Sequence, residues 1–383
     1  MTHTAPLAGV TVLSLAEQYP GPYATLLLAD LGADVVLVER CGAGDPSRRF
    51  PGFHEALNRN KRSVAVDLKS AAGRAVFLRM CERADVVLEG FRPGVVDRLG
   101  VGYDAVCAVN PDVVYVSISG FGQHGPLRNR PAHDVSYQAI AGMLAERLDR
   151  TDPWPAPRIA VADLSSGMFA VIAALSGLLA GSGGYFDVSM TDGLMSWMTT
   201  YAFCAANGLA EPGLPPREPG YELYRTADGG VLSLSVAHED DFWRALCGVL
   251  GLTEHGPLSA ADRRARYPEL RERIASVVAT RGRAEWEREL DAAGVPFSPV
   301  LSVAEMVAHP HIRARELLVD VPATGGRPAR RHIRQPLAIR GHATAIERHV
   351  PALGEHTREV LAAAGYPEEE IRSLLEQGVV GEP

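Results

Sequence analysis

The sequence predicts an α/β protein: a large domain built on a doubly wound parallel sheet, with a smaller α+β domain after it. Three observations carry that prediction. Short β-branched apolar runs alternate with helical stretches through the first half of the chain, as in parallel strands buried on both faces. Near residues 207–219 the texture turns rich in Gly and Pro, which marks a linker. At 383 residues the chain is also longer than one hydrophobic core usually serves.

Taken in order, residues 10–15 and 35–38 read as buried strands. Between them, a helix over 21–31 is opened by the Pro20-Gly21-Pro22 turn. Residues 64–68, 86–88 and 113–117 continue the strands, separated by helical stretches such as 71–82. A long apolar helix after Asp163 leads to a further strand at 186–190. Beyond the linker, 224–235 is a hairpin turning at Asp228-Gly229. Residues 240–293 are helical, with Trp243, Leu246, Val249 and Leu250 as a core stripe. A helix over 300–316 follows, and 351–377 holds two amphipathic helices divided by Gly365-Tyr366-Pro367. The resulting division is a large domain over 1–215, a small domain over 216–330, and a segment over 331–383 that returns to the large domain.

The composition is that of an ordinary soluble enzyme, 46% hydrophobic and 22% charged. A net charge of −8 argues against nucleic acid or an anionic membrane as the main partner, while leaving room for a phosphorylated small ligand. The five cysteines (Cys41, Cys81, Cys107, Cys204, Cys247) show no C-x-x-C and no metal-ligand spacing, so a cytoplasmic protein with reduced thiols and no metal is expected. The start of the chain has neither a basic n-region nor a long apolar h-region. No run reaches about 18 uninterrupted apolar residues, and 168–180 suits a buried helix.

Two basic clusters follow predicted strands. Arg40, Arg48, Arg49, Arg59, Lys61 and Arg62 form one; Arg92 and Arg98, in Phe91-Arg92-Pro93-Gly94 and Asp97-Arg98-Leu99-Gly100, form the other. Ligands of parallel sheets lie beyond the carboxyl ends of the strands, where such cations suit a multiply phosphorylated molecule. They equally suit a solvated basic rim, and the residues alone leave both readings open. No G-x-G-x-x-G follows the first strand, and neither a P-loop nor a G-x-S-x-G elbow occurs. That disfavours a nicotinamide dinucleotide site, a P-loop NTPase and a serine hydrolase.

An imidazole and a carboxylate stand out thirty positions apart: His133 in Ala132-His133-Asp134-Val135-Ser136-Tyr137, and Asp163 in Val161-Ala162-Asp163-Leu164-Ser165-Ser166-Gly167. Converging on one carbon, they would take a proton from one face and return it to the other. Each residue also has a plainer reading. His133 suits a loop hydrogen bond, Asp163 an N-cap, Asp134 a cap or turn, and Glu239 a solvated helix start.

Read in order, these motifs resemble the family III CoA-transferase and α-methylacyl-CoA racemase superfamily, most closely the racemase branch. The resemblance rests on Pro20-Gly21-Pro22-Tyr23-Ala24, Leu28-Ala29-Asp30-Leu31-Gly32-Ala33-Asp34, Val38-Glu39-Arg40, Asn58-Arg59-Asn60-Lys61-Arg62-Ser63, Phe91-Arg92-Pro93-Gly94, Ser119-Gly120-Phe121-Gly122 and Tyr224-Arg225-Thr226. It implies a CoA thioester as substrate, no separate cofactor, and an interlocked homodimer. The site would lie between one chain's large domain and the other's small domain. It also implies that Arg40 and the backbone of Ala65, Val66, Asp67 and Leu68 flank the adenosine part. Arg92 and Arg98 would hold phosphates, with Asp134 and Tyr137 completing the CoA-binding set. Cys41 departs from the family, which commonly has Pro there.

By the same resemblance, Asp163 is a nucleophile in the transferases, attacking the acyl-CoA carbonyl. In the racemases it is an acid/base, partnered by His133 and assisted by Glu239. The three-residue match favours racemisation or epimerisation of a 2-methyl-branched acyl-CoA. CoA transfer between carboxylic acids is the alternative, and CoA binding without catalysis a third. Leu164-Ser165-Ser166-Gly167, where racemases carry an aromatic and a Gly-rich run, leaves the acyl group open.

Overall fold

A computed structural model describes residues 5–145, 157–210, 218–340 and 346–383. The chain forms two units: Met1–Ala202 with Glu316–Pro383, and Phe203–Arg315. The crossings thus fall at 202/203 and 315/316, where the sequence reading places them at 215/216 and 330/331. Part of the expected linker, 211–217, lies outside the described residues.

The first unit is built on β1 (Thr11–Ser14), β2 (Asp34–Glu39), β3 (Lys61–Val66), β4 (Val86–Glu89), β5 (Val114–Ser119) and β6 (Gly184–Ser189). With a late strand, β12 (Val380–Gly381), they form one sheet in the order β12-β3-β2-β1-β4-β5-β6. All pairs are parallel except β12 with β3. Alternate residues serve opposite faces. Val12, Val35, Leu88 and Val116 pack under α1 (Pro20–Asp30) and α7 (Val161–Ala180). Leu13, Val36, Val64 and Val87 pack under α3 (Ala71–Cys81) and the C-terminal helices Thr357–Ala363 and Glu368–Glu376. The remaining helices of this unit are α2 (Pro51–Leu57), α4 (Val95–Leu99), α5 (Tyr103–Val109), α6 (Asp134–Ile140) and α8 (Met190–Trp197), and the 202/203 crossing falls within α9 (Thr199–Ala206).

Three departures from the sequence reading have local causes. β3 begins at Lys61 because its charged residues find partners. The buried Lys61 Nζ donates to Pro22 O, Thr25 Oγ1 and Asn58 Oδ1 at 2.7–2.9 Å, and Arg62 pairs with Asp34 and Glu359. The helix expected over 300–316 is broken into Val303–Ala308 and Pro310–Ala314, since Pro310 cannot continue a helical ladder. The chain then forms an unforeseen hairpin of β10 (Leu318–Val321) and β11 (Arg330–Ile333).

The second unit pairs β7 (Leu223–Arg225), β8 (Val231–Leu234) and β9 (Phe297–Pro299) antiparallel. Trp243, Leu246, Leu270, Ile274, Trp286 and Leu290 fill its core. Trp243 and Leu246 come from α10 (Asp240–Val249), as the predicted stripe requires. Among the described residues, one helix, α7, is long and apolar enough to cross a bilayer; it packs on α1 and β5.

Candidate active site

The loops after β4 and β5, the start of α1 and the starts of α6 and α7 enclose a cavity of ≈ 260 Å³. Its lining includes Tyr19, Arg92, Arg128, Arg130, His133, Tyr137, Asp163 and Met190. Two glycines make this convergence fit. A Cβ on Gly167 would stand 2.8 Å from Pro20 O and 2.9 Å from the Tyr23 ring, so α7 lies directly on the start of α1. A Cβ on Gly120 would fall 2.4 Å from the Tyr137 ring, letting α6 close over the end of β5.

Asp163 sits in the first turn of α7, whose N-cap residue is Ala160. Alanine offers no capping oxygen, and the cap comes from another helix. Asp134 Oδ1 accepts from Ala162 N at 2.6 Å and from Asp163 N at 3.4 Å. Asp134 Oδ2 accepts from the Nε2 of the buried Gln138 at 2.5 Å. The negative charge of Asp134 is thereby fixed beside Asp163. Burial first, and that charge second, push the Asp163 carboxyl up from 3.8 to about 7. The sequence reading groups Asp134 with CoA contacts; its carboxylate instead faces the helix start.

His133 is the N-cap residue of α6, with extended backbone. Its ring lines the cavity and makes no hydrogen bond to the described residues. Tyr137 lines the same space, edge-on to Phe121 at 5.1 Å, with its hydroxyl donated to Ala132 O. Glu239 stands in the second unit as the N-cap residue of α10, its Oε2 accepting from Ala237 N at 3.1 Å. Backbone N–H groups, its own first, hold that carboxyl below the ordinary range. The structure therefore brings His133 and Asp163 to one cavity, and Glu239 is not among its lining residues.

The other expected contacts follow strands of the sheet. Arg40 follows β2, pairs with Glu17 at 3.2 Å and stays largely exposed. Arg92 and Arg98 follow β4, exposed and with no ion pair among the described residues. Ala65 and Val66 are less free than expected. They are buried and paired with Gly381 and Val380 of β12, and Ala65 N donates to Thr357 Oγ1. Asp67 N is taken by Val379 O. Asp67 and Leu68, just beyond the end of β3, are half-buried. Cys41 packs by Val379 O, and burial pushes its thiol up.

Residues missed in the sequence complete the site. Arg128 and Arg130 precede His133 by a few positions, and their charge is the signal that would have found them. Glu89 closes β4 just before the Gly90–Pro93 turn, buried, with Oε2 accepting from Phe91 N at 2.7 Å and Oε1 from Ser117. Burial raises it to about 7. No local signal marks Gln138.

A family model described as CoA-transferase family III matches residues 7–357. The chain belongs to this family. Family III relatives lie on both sides of the choice of reaction. The α-methylacyl-CoA racemase of Mus musculus is 35% identical, over 98% of this chain and 97% of its own. The acetyl-CoA:oxalate CoA-transferase of Acetobacter aceti is 33% identical, over 82% and 85%. The crystal structure of a CaiB/BaiF family protein from Brucella suis superposes with a TM-score of 0.82 at 28% identity, covering 94% of this chain and 100% of that one. This chain is thus an enzyme of the family III CoA-transferase and racemase superfamily, with the large parallel-sheet domain of its structural neighbours.

Proposed function

We propose that this enzyme racemises or epimerises 2-methyl-branched acyl-CoA thioesters, moving the α-proton through an enolate. The observation that carries the reading is the cavity shared by His133, whose imidazole makes no hydrogen bond among the described residues, and a carboxyl poised near neutrality, Asp163. A general acid or base works best when its pKa lies near the operating pH. One of the pair removes the α-proton, and the other then delivers a proton to the opposite face. The enolate oxygen that forms between these steps takes hydrogen bonds from backbone N–H groups at the start of α6, a contribution of several kcal/mol in such sites.

In this reading the CoA moiety lies along Arg40, Asp67, Leu68 and the Gly90–Gly94 turn, with Arg92 and Arg98 on its phosphates. Two chains form a homodimer in which Glu239 of one polarises His133 of the other. An apolar stripe on α7, with Met168, Ile172, Leu175 and Leu179 exposed, supports such an assembly. The described free thiols suit a cytoplasmic enzyme.

The test is α-proton exchange in D₂O with a panel of 2-methylacyl-CoAs and no added acid. Deuterium incorporation with loss of chirality is expected. Passage of CoA to an added carboxylate without exchange, with Asp163 trapped by hydroxylamine, establishes the transfer reading instead. Tight CoA binding with neither activity leaves only a binding protein.

A further inference from the structure

A second cavity, of ≈ 270 Å³, lies in the first unit and shares no lining residue with the site above. It is bounded by α2, β11 and residues 349–352. Three arginines (Arg48, Arg327, Arg330) and three histidines (His54, His332, His349) line it, against one carboxylate, Glu55. Among the described residues no cluster is arranged to hold a metal ion, so the histidines are not read as ligands of one.

His54 is only 4% exposed. Its hydrogen-bonding pattern fixes where its proton sits. Lys61 Nζ donates to Asn58 Oδ1 at 2.9 Å, which turns the Asn58 amide nitrogen to His54 Nδ1 at 3.1 Å. The Ser47 hydroxyl lies 2.7 Å from the same nitrogen. Nδ1 is therefore an acceptor, and the ring proton is on Nε2. Burial, then Arg48, holds the ring in its neutral form. Nε2–H has no hydrogen-bond partner among the described residues and presents almost no accessible surface, so His54 is part of the cavity wall and the arginines are the groups that can meet a ligand.

The guanidinium groups are anchored from behind. Arg48 is held by Glu39 at 2.7 Å, Arg330 by Glu55 at 2.6 Å, and Arg327 by Glu355. Anchoring orients each fork and leaves it with N–H groups to spare, since a guanidinium carries five donors. Oriented forks around one space match an oxyanion with several charged oxygens better than they match a neutral ligand.

We propose that this cavity binds a small multivalent oxyanion, a phosphate or a polycarboxylate, through the guanidinium groups of Arg327 and Arg330. The site is separate from the one that takes the acyl-CoA.

Sulfate, whose charge is constant around neutral pH, is the first probe. The full-length protein is titrated with it at fixed ionic strength, with the acyl-CoA site saturated by CoA, and followed by calorimetry and thermal midpoint. Saturable binding is expected, and parallel titrations with inorganic phosphate and citrate show which kind of oxyanion is preferred. Arg327→Gln and Arg330→Gln, both at partly exposed positions, each weaken binding about tenfold, as loss of one charge-assisted hydrogen bond does. CoA affinity stays unchanged in both. Absence of saturable binding for all three anions overturns the proposal, as does binding equal to wild type in both variants. Binding that CoA abolishes also overturns it, because the ion then occupies the acyl-CoA site.

Discussion

Replacing Asp134 with Asn removes one charge beside Asp163 while keeping an oxygen that accepts from Ala162 N. Gln138 accommodates the change by turning its amide to present Oε1. The perturbation is therefore electrostatic, with the cap of α7 retained. Asp163 rises from 3.8 to about 7, which at 1.36 kcal/mol per pH unit is ~4 kcal/mol of preference for the protonated form. Burial is the larger cause and Asp134 the smaller, so the Asp134→Asn change lowers the Asp163 pKa by no more than ~1.5 pH units, about 2 kcal/mol. The assay is the pH dependence of kcat/KM for α-proton exchange. The two directions of a racemase share one equilibrium constant of unity and hence one profile, a bell whose limbs belong to the His133–Asp163 pair jointly. The active form holds one proton on the pair. The Asp134→Asn variant moves the acid limb, where the second proton binds, to lower pH by about 1 unit. An acid limb that stays in place or moves upward, in a variant with wild-type CoA affinity, refutes the electrostatic coupling.

Asp163→Asn is expected to abolish exchange yet stabilise the fold in alkali. A carboxyl with a raised folded pKa contributes least cost below the unfolded value, 3.8, and its full cost above about 7. The gain measured by urea unfolding therefore grows between those values and levels off at no more than ~4 kcal/mol; an equal gain over wild type at pH ~5 and ~8 contradicts this. Glu89→Gln follows the same sign, since burial holds Glu89 near 7, and it keeps an acceptor for Phe91 N. Glu89→Ala releases the Gly90–Pro93 turn and should weaken CoA binding about tenfold, read by calorimetry. Gly167→Ala places a methyl 2.8 Å from Pro20 O and should destabilise by about 1–3 kcal/mol. Wild-type denaturant midpoints for that variant show that α7 yields without strain.

The alternation of apolar runs makes the parallel sheet legible, because strands buried on both faces are mostly apolar. Legibility fails wherever a charged residue is neutralised from far along the chain. Lys61 and Arg62 extend β3 only because Pro22, Thr25, Asp34 and Glu359 meet them, and no window around residue 61 contains those partners. β12 is two residues long and shows no periodicity, yet it covers the edge where the family resemblance sets Ala65 and Val66 against a ligand. The candidate pair itself is visible as residue types at a spacing. Its environment is not, since burial of Asp163 depends on how closely α7 approaches α1, and that depends on Gly167.

The plainer readings of the same residues help to separate the two chemistries. The N-cap role open to Asp163 in the sequence belongs to Asp134 instead, through Ala162 N. Asp163 is thereby spared from holding its own helix, and its carboxyl faces the cavity beside His133. A nucleophile in acyl transfer gains from being ionised throughout the working range, which a buried site next to a second carboxylate opposes. A proton carrier gains from the reverse: its affinity for the proton must approach that of its partner, so that either member can hold the proton before reaction. A carboxyl raised to about 7 keeps its proton into the neutral range, as a carrier must and a nucleophile must not. In that sense Asp134, which touches no reacting atom, bears on the choice of reaction as directly as His133 does.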